Sequence, residues 1–297
     1  MRIRESVATA GRVQFRSALR SLMRLSGRSF TYRVGRLLMN EARFDVPNDP
    51  ASNGERELQA TVLHYRQPNR KTVIFDVGAN VGDWACSLLN QAEDLASLEV
   101  HAFEPCSGTY EILLGRIAAL RVSDNVIAVR KACSSSAGVG GLHIVGVGAG
   151  TNSLTCMEHS DAVEQVELVS IDDYCHSCNI DHISLLKIDA EGHDIDVIKG
   201  ATSMLQRQNV DVLQFEYNQR WIFNGAFLRD AFGTLSPFGY SIGKVTPYGV
   251  EFYESWDWEL ETFREGNYLA CLPEWISRFN SIVPSWNPRL LVAGRNS

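Results

Sequence analysis

Apolar and polar positions alternate in two rhythms along this chain. Short runs rich in Val, Ile, Leu and Phe predict strands over residues 72–76, 98–103, 126–131, 183–188, 210–216, 240–245 and 267–272. Segments with helical spacing predict helices near 83–92, 107–120, 170–178, 193–206 and 219–233. This alternation predicts an α/β fold, with a mostly parallel sheet and helices on both faces. Ligands of such sheets bind beyond the carboxyl ends of the strands. Residues 138–153 break the rhythm. Glycine and small polar residues surround a short apolar run at 142–147 and predict a hairpin with a mobile loop. The polar stretch 45–54 reads as a linker. We therefore divide the chain into a basic helical segment with linker at 1–60, a domain at 61–275 and a tail at 276–297.

Charge sharpens this division. Residues 1–43 hold ten arginines and two acids, whereas the remainder holds 18 basic and 33 acidic residues. The body is a poor candidate for nucleic-acid binding. Arg12, Arg16, Arg20, Arg24 and Arg28 recur every four residues and predict a basic helical stripe. That stripe suits an anionic membrane surface, a partner or the acidic body itself. Arginines interrupt every apolar stretch that a secretory signal would need. The seven cysteines include one C-x-x-C, Cys175 to Cys178, with no second pair to complete a zinc site. Reduced thiols and the missing signal predict a cytoplasmic protein, at most peripheral to a membrane. Oligomeric state is not readable.

Candidate chemistry gathers at two strand ends. The first is Val73-Ile74-Phe75-Asp76-Val77-Gly78-Ala79-Asn80-Val81-Gly82-Asp83, a strand, a glycine turn and a helix start. Glu104 ends the next strand, where an acid holds the ribose hydroxyls of an adenosine. Two glycines replace the three of a dinucleotide fingerprint. Asp83, at the helix start, would repel a pyrophosphate or simply cap the helix. An acidic turn fits the cationic, phosphate-free S-adenosylmethionine, with Asp76, Gly78 and Glu104 as its contacts. The second strand end is Lys187-Ile188-Asp189-Ala190-Glu191-Gly192-His193. Asp189, Glu191 and His193 are the catalytic candidates, any of which could take a proton from a methyl acceptor. Glu216 and Asn218 would share the crevice if their strand lies alongside. Asp189 and Glu216 are weaker candidates for a divalent metal, which the reading does not favour. Trp221, Trp256 and Trp258 read as packing residues before sugar platforms. Arg220 and Lys244 are candidate contacts for an acidic acceptor.

With both constellations in place, the chain resembles the FkbM family of S-adenosylmethionine-dependent methyltransferases. The matching segments include Phe75 to Gly82, Ala102-Phe103-Glu104-Pro105, Lys187 to His193 and Val197-Ile198-Lys199-Gly200-Ala201. The resemblance implies a Rossmann-like class I methyltransferase fold, whose seven-stranded sheet ends in an antiparallel hairpin. It implies O-methylation of a sugar, glycan, glycolipid or secondary-metabolite hydroxyl. The cofactor contacts so implied are Asp76, Gly78, Asn80, Gly82, Glu104, Ser134 and Asp189. Ser134 is the least regular of these, because Ala132-Cys133-Ser134-Ser135 departs from the family pattern at the adenine. A nicotinamide oxidoreductase and a non-catalytic protein of the same fold are the competing readings.

Overall fold

The structure, a computed structural model, describes residues 16–21, 23–25, 27–45, 49–67, 70–120, 123–155 and 162–282. Arg12, Cys156 and the tail beyond 282 lie outside the described residues. The chain forms two compact units, Met1–Val46 and Pro47–Ser297.

The described residues of the first unit are mainly helical. Residues 16–21 and 23–25 are helical, and α1 spans Arg28–Ala42. Gly27, at φ 83°, separates the two stretches, so Arg28 starts a new helix instead of continuing the stripe of Arg16, Arg20 and Arg24. Among the described residues no helix is long and apolar enough to cross a membrane.

The second unit is built on an eight-stranded sheet ordered β10-β9-β11-β8-β7-β1-β2-β3. Its strands are β1 (Thr72–Val77), β2 (Leu98–Phe103), β3 (Val126–Val129), β7 (Ile183–Ile188), β8 (Val210–Tyr217), β9 (Ser241–Thr246), β10 (Gly249–Tyr253) and β11 (Gly266–Cys271). The five from β3 to β8 are parallel. β11 runs antiparallel to both β8 and β9. Both β1 and β7 are buried at every position, because helices cover both sheet faces. The fold is Rossmann-like, as expected, but carries one strand more than the expected seven. The addition is β10, which forms the sheet edge and pairs with β9, Val250 opposite Val245. A smaller sheet, β4-β6-β5, joins Ala132–Cys133, Ala162–Val169 and Gly138–Ile144.

The helices on the sheet are α2 (Glu55–His64), α3 (Asp83–Gln91), α4 (Ser107–Ala119), α5 (Ile171–Cys178), α6 (Asp194–Gly200), α7 (Thr202–Gln206), α8 (Leu228–Leu235) and α9 (Pro273–Ile276). Leu58 and Val62 of α2 are buried in the core, so residues 55–60 belong to the second unit. The predicted helix 193–206 is two helices. Gly200 sits so close to Ser134 that a Cβ would lie 2.1 Å from its carbonyl oxygen. Asp172 then caps α7, accepting from the amides of Ser203 and Met204 at 2.7 and 3.0 Å. The predicted helix 219–233 is likewise split, into a 3-10 turn at Gln219–Ile222 and α8, with Gly225 at φ 64° between them.

Strand order reverses between β1 and β7. Consecutive crossovers leave β1 toward β2, and β7 starts the other half of the sheet. A crevice opens beyond the strand ends at such a switch point.

Candidate functional site

A cavity of about 250 Å³ occupies that crevice. Its walls come from the loops after β1 (Gly78, Asn80), β2 (Glu104, Pro105) and β7 (Asp189, Ala190, Glu191, His193), and from Lys131, Ala132 and Cys133. The glycine-rich segment forms the remaining wall, with Leu142, Ala149, Gly150, Asn152, Ser153 and Leu154.

Glu104 is held at both of its carboxylate oxygens. Its two carboxylate oxygens each accept one backbone N–H, from Asn80 at 3.0 Å and Cys106 at 2.9 Å. Each oxygen keeps a lone pair for a further donor. Burial lifts its pKa to about 7, against the pull of those two amides. Asn80, in the left-handed region at φ 49°, lines the cavity, and its side-chain oxygen is buried without a hydrogen-bond partner. Gly78, at φ 76°, is required by the packing of the protein itself. A Cβ there would stand 1.9 Å from the carbonyl oxygen of Asp189. Its amide donates to Phe103 at 3.0 Å. This close approach locks the β1 loop against the β7 loop.

Three expectations change here. Asp76 is fully buried and does not line the cavity; its Oδ1 lies 3.1 Å from the Lys187 ammonium. Gly82 does not line it either, but caps α3 at φ 88°, where a Cβ would press on Leu113. Asp83 points away, 76% exposed and paired with Arg116 at 2.6 Å, so it cannot be what repels a pyrophosphate. The cavity's negative character comes from Glu104, Asp189 and Glu191 instead.

Lys187 anchors the charges beneath. Its ammonium lies 3.4 Å from Asp189 as well as near Asp76, and donates to the Gly78 carbonyl. Burial raises the Asp76 carboxyl pKa and would lower that of Lys187. Asp76, Asp189 and Glu55 more than reverse the latter, so the ammonium is the fixed charge of the cluster. Glu55 enters from α2, held by the Gln214 side chain at 2.8 Å, and burial lifts its pKa to about 7. No sequence motif announces Glu55, because it belongs to a different part of the chain.

The turn 189–193 carries the other candidates. Glu191 at φ 53° and Gly192 at φ 93° are both left-handed, an unfavourable pair for a chain containing glutamate. Asp194 stabilises it by accepting from the amides of Ala190 and Gly192. Burial drives the Asp194 pKa to about 7. The Glu191 carboxylate pairs with Arg220 at 2.5 Å, while burial and Asp189 push its pKa up to about 8. His193 lines the cavity, with Nε2 2.9 Å from the Ser134 hydroxyl and Nδ1 3.5 Å from Asp196. Burial lowers its pKa below the usual 6.5. Ser134 thus spends its hydroxyl on His193, and Ala132 and Cys133 take the cavity wall expected of it.

Since β8 pairs with β7, Glu216 stands beside this turn. Carboxylate oxygens of Asp189, Glu191 and Glu216 all lie within 4.8 Å of one another. Glu191 supplies a third acid to the two metal candidates. Burial and these neighbours raise the Glu216 pKa well above the ordinary range. Asn218 donates to Glu216 at 2.5 Å. Trp221 is fully buried and donates to the Glu216 carbonyl, and Trp256 donates to Glu261; neither lines the cavity. Trp258, 62% exposed, starts a 3-10 turn. Lys244 is buried in β9, away from the cavity wall.

The hairpin was expected but its place in the cavity wall was not, because its fixing bonds are long-range. Ser153 donates to the Glu191 carbonyl at 2.7 Å, and the Gly148 amide donates to Thr109 at 2.9 Å. The segment expected to be mobile is tied to both α4 and the 189–193 turn.

A doubly wound sheet with a glycine turn after its first strand and an acid after its second defines a Rossmann-like methyltransferase fold. The profile described as Methyltransferase FkbM domain matches residues 76–242, and the chain belongs to that family. It is similar to the hexuronic acid methyltransferase AglP of Haloferax volcanii, with 28% identity over 162 residues. That match covers 54% of this chain and 62% of the relative, so the chain spans less than two thirds of it. Among solved structures, an FkbM methyltransferase from Methylobacillus flagellatus KT aligns with 71% of this chain and 47% of its own at 14% identity and a TM-score of 0.42. A precorrin-6y C5,15-methyltransferase from Geobacter metallireducens aligns with 73% and 86% at 12% identity and a TM-score of 0.39.

Proposed function

We propose that the protein is an S-adenosylmethionine-dependent O-methyltransferase whose acceptor is a hydroxyl of a sugar. The observation that carries this reading is Glu104, a buried carboxylate aimed into a switch-point cavity with lone pairs to spare. Two ribose hydroxyls fit it. When bound, S-adenosylmethionine supplies a methyl group activated by a sulfonium.

The acceptor lies against the 189–193 turn. Its hydroxyl oxygen forms the new C–O bond as the C–S bond breaks, and its proton leaves to the protein. His193 is the base, because burial keeps its imidazole neutral at pH 7. Glu191 is tied to Arg220, so it orients the hydroxyl. Asp189, held by Lys187, does the same from the other side. Alignment of the reacting atoms supplies most of the rate. The sugar assignment draws support from the likeness to a hexuronic acid methyltransferase.

A second reading of the acceptor side adds a divalent cation on Asp189, Glu191 and Glu216, favoured by their mutual spacing. A chelator then abolishes activity, and manganese or magnesium restores it. The main test incubates the protein with S-adenosylmethionine and a panel of neutral and acidic glycans, read by mass spectrometry. One added methylene on a sugar is expected. Turnover of nicotinamide cofactors without methyl transfer would overturn the proposal.

A further inference from the structure

Helix α1 holds its apolar residues in water. Phe30, Val34, Leu37 and Leu38 follow the i, i+4, i+7, i+8 spacing of one helical face. They are 54%, 38%, 59% and 65% exposed, and no residue of α1 is buried. The other side is basic. Arg28, Ser29, Tyr32, Arg33 and Arg36 line one shallow surface groove. Glu41, in the last turn, is the one acid of the helix.

We propose that α1 is an interfacial anchor for an anionic phospholipid bilayer. Phe30, Val34, Leu37 and Leu38 enter the acyl boundary, and the arginines extend their apolar stems along it to reach lipid phosphates. Ten arginines against two acids in residues 1–43 supply the charge complementarity. A second copy of the helix is a poorer occupant, because pairing the apolar faces would bring like charges together. A nucleic acid would use the arginines and leave the apolar face in water. At 15 residues α1 is about 22 Å long, short of the hydrocarbon core, so it lies on the bilayer and does not span it.

The test uses the full chain and sedimentation with vesicles. Vesicles containing phosphatidylglycerol are expected to carry the protein down at low salt, and vesicles of phosphatidylcholine alone are not. Salt at about 1 M weakens this binding. The pairs Leu37→Glu with Leu38→Glu, and Arg33→Glu with Arg36→Glu, each reduce partitioning by at least about ten-fold. Leu37→Ala with Leu38→Ala keeps the helix-forming tendency and gives an intermediate loss. Thermal melting of the body is unchanged in all three. Equal sedimentation with both vesicle types, or none with either, overturns the proposal. So does binding that ignores the leucines, which assigns the face to a purely charged partner such as a nucleic acid. A lipid-free dimer that dissociates in the leucine variants overturns it in favour of a second copy.

Discussion

Glu104 and His193 illustrate how a few buried side chains set the chemistry. His193 is held at both ring nitrogens, by Ser134 and Asp196, and its lowered pKa keeps it neutral. His193→Gln is expected to lower kcat by about 10²–10⁴-fold while leaving affinity for the methyl donor unchanged. In the wild type, kcat should fall as pH drops through a midpoint below 6.5, and a pH–rate profile reads it. Glu104 was legible because an acid after the second strand has few other uses. Asp76 was misplaced because β1 is buried on both faces, so period-two reasoning gives no hint of which face meets the cavity. Ser134 was misread because its hydroxyl turns toward α6, a partner 59 residues away.

The turns after β1 and β7 work as one element. Gly78 allows the β1 loop to touch the Asp189 carbonyl, and Lys187 bonds to both loops. Gly78→Ala forces a Cβ into that carbonyl at φ 76° and should cost more than about 2 kcal/mol of stability, measured by denaturant titration. Lys187→Met leaves Asp76 buried without its cation and should cost about 3–5 kcal/mol in the same assay. The strands of the main sheet other than β10 were readable from apolar runs, and the start of α3 from Gly82. The breaks at Gly200 and Gly225 were not, since helical spacing persists across both. Strand β10 escaped for a related reason: Gly249-Val250-Glu251-Phe252-Tyr253 is short and lies on the sheet edge. The hairpin wall needed Thr109 and Glu191 to hold it, and sequence order does not bring these together.

Across the whole molecule, carboxylates dominate the energetics of the site. Glu55, Glu104 and Asp194 have folded pKa values of about 7, well above their ordinary values. Groups raised on folding contribute stability that is complete below their unfolded pKa near 4 and is lost as pH rises through 7. The melting temperature without ligand should therefore be lower at pH 8 than at pH 6. A ligand carrying positive charge and ribose donors favours the ionised form of Glu104, so binding near pH 6.5 should release protons. Calorimetry in buffers of different ionisation enthalpy reads that release. The most direct test of the account is calorimetric titration of S-adenosylmethionine and of NAD into the wild type and Glu104→Ala. S-adenosylmethionine is expected to bind and NAD is not, and Glu104→Ala is expected to weaken binding by about 100-fold at unchanged fold. Binding of NAD alone, or unaltered S-adenosylmethionine affinity in Glu104→Ala, would contradict it.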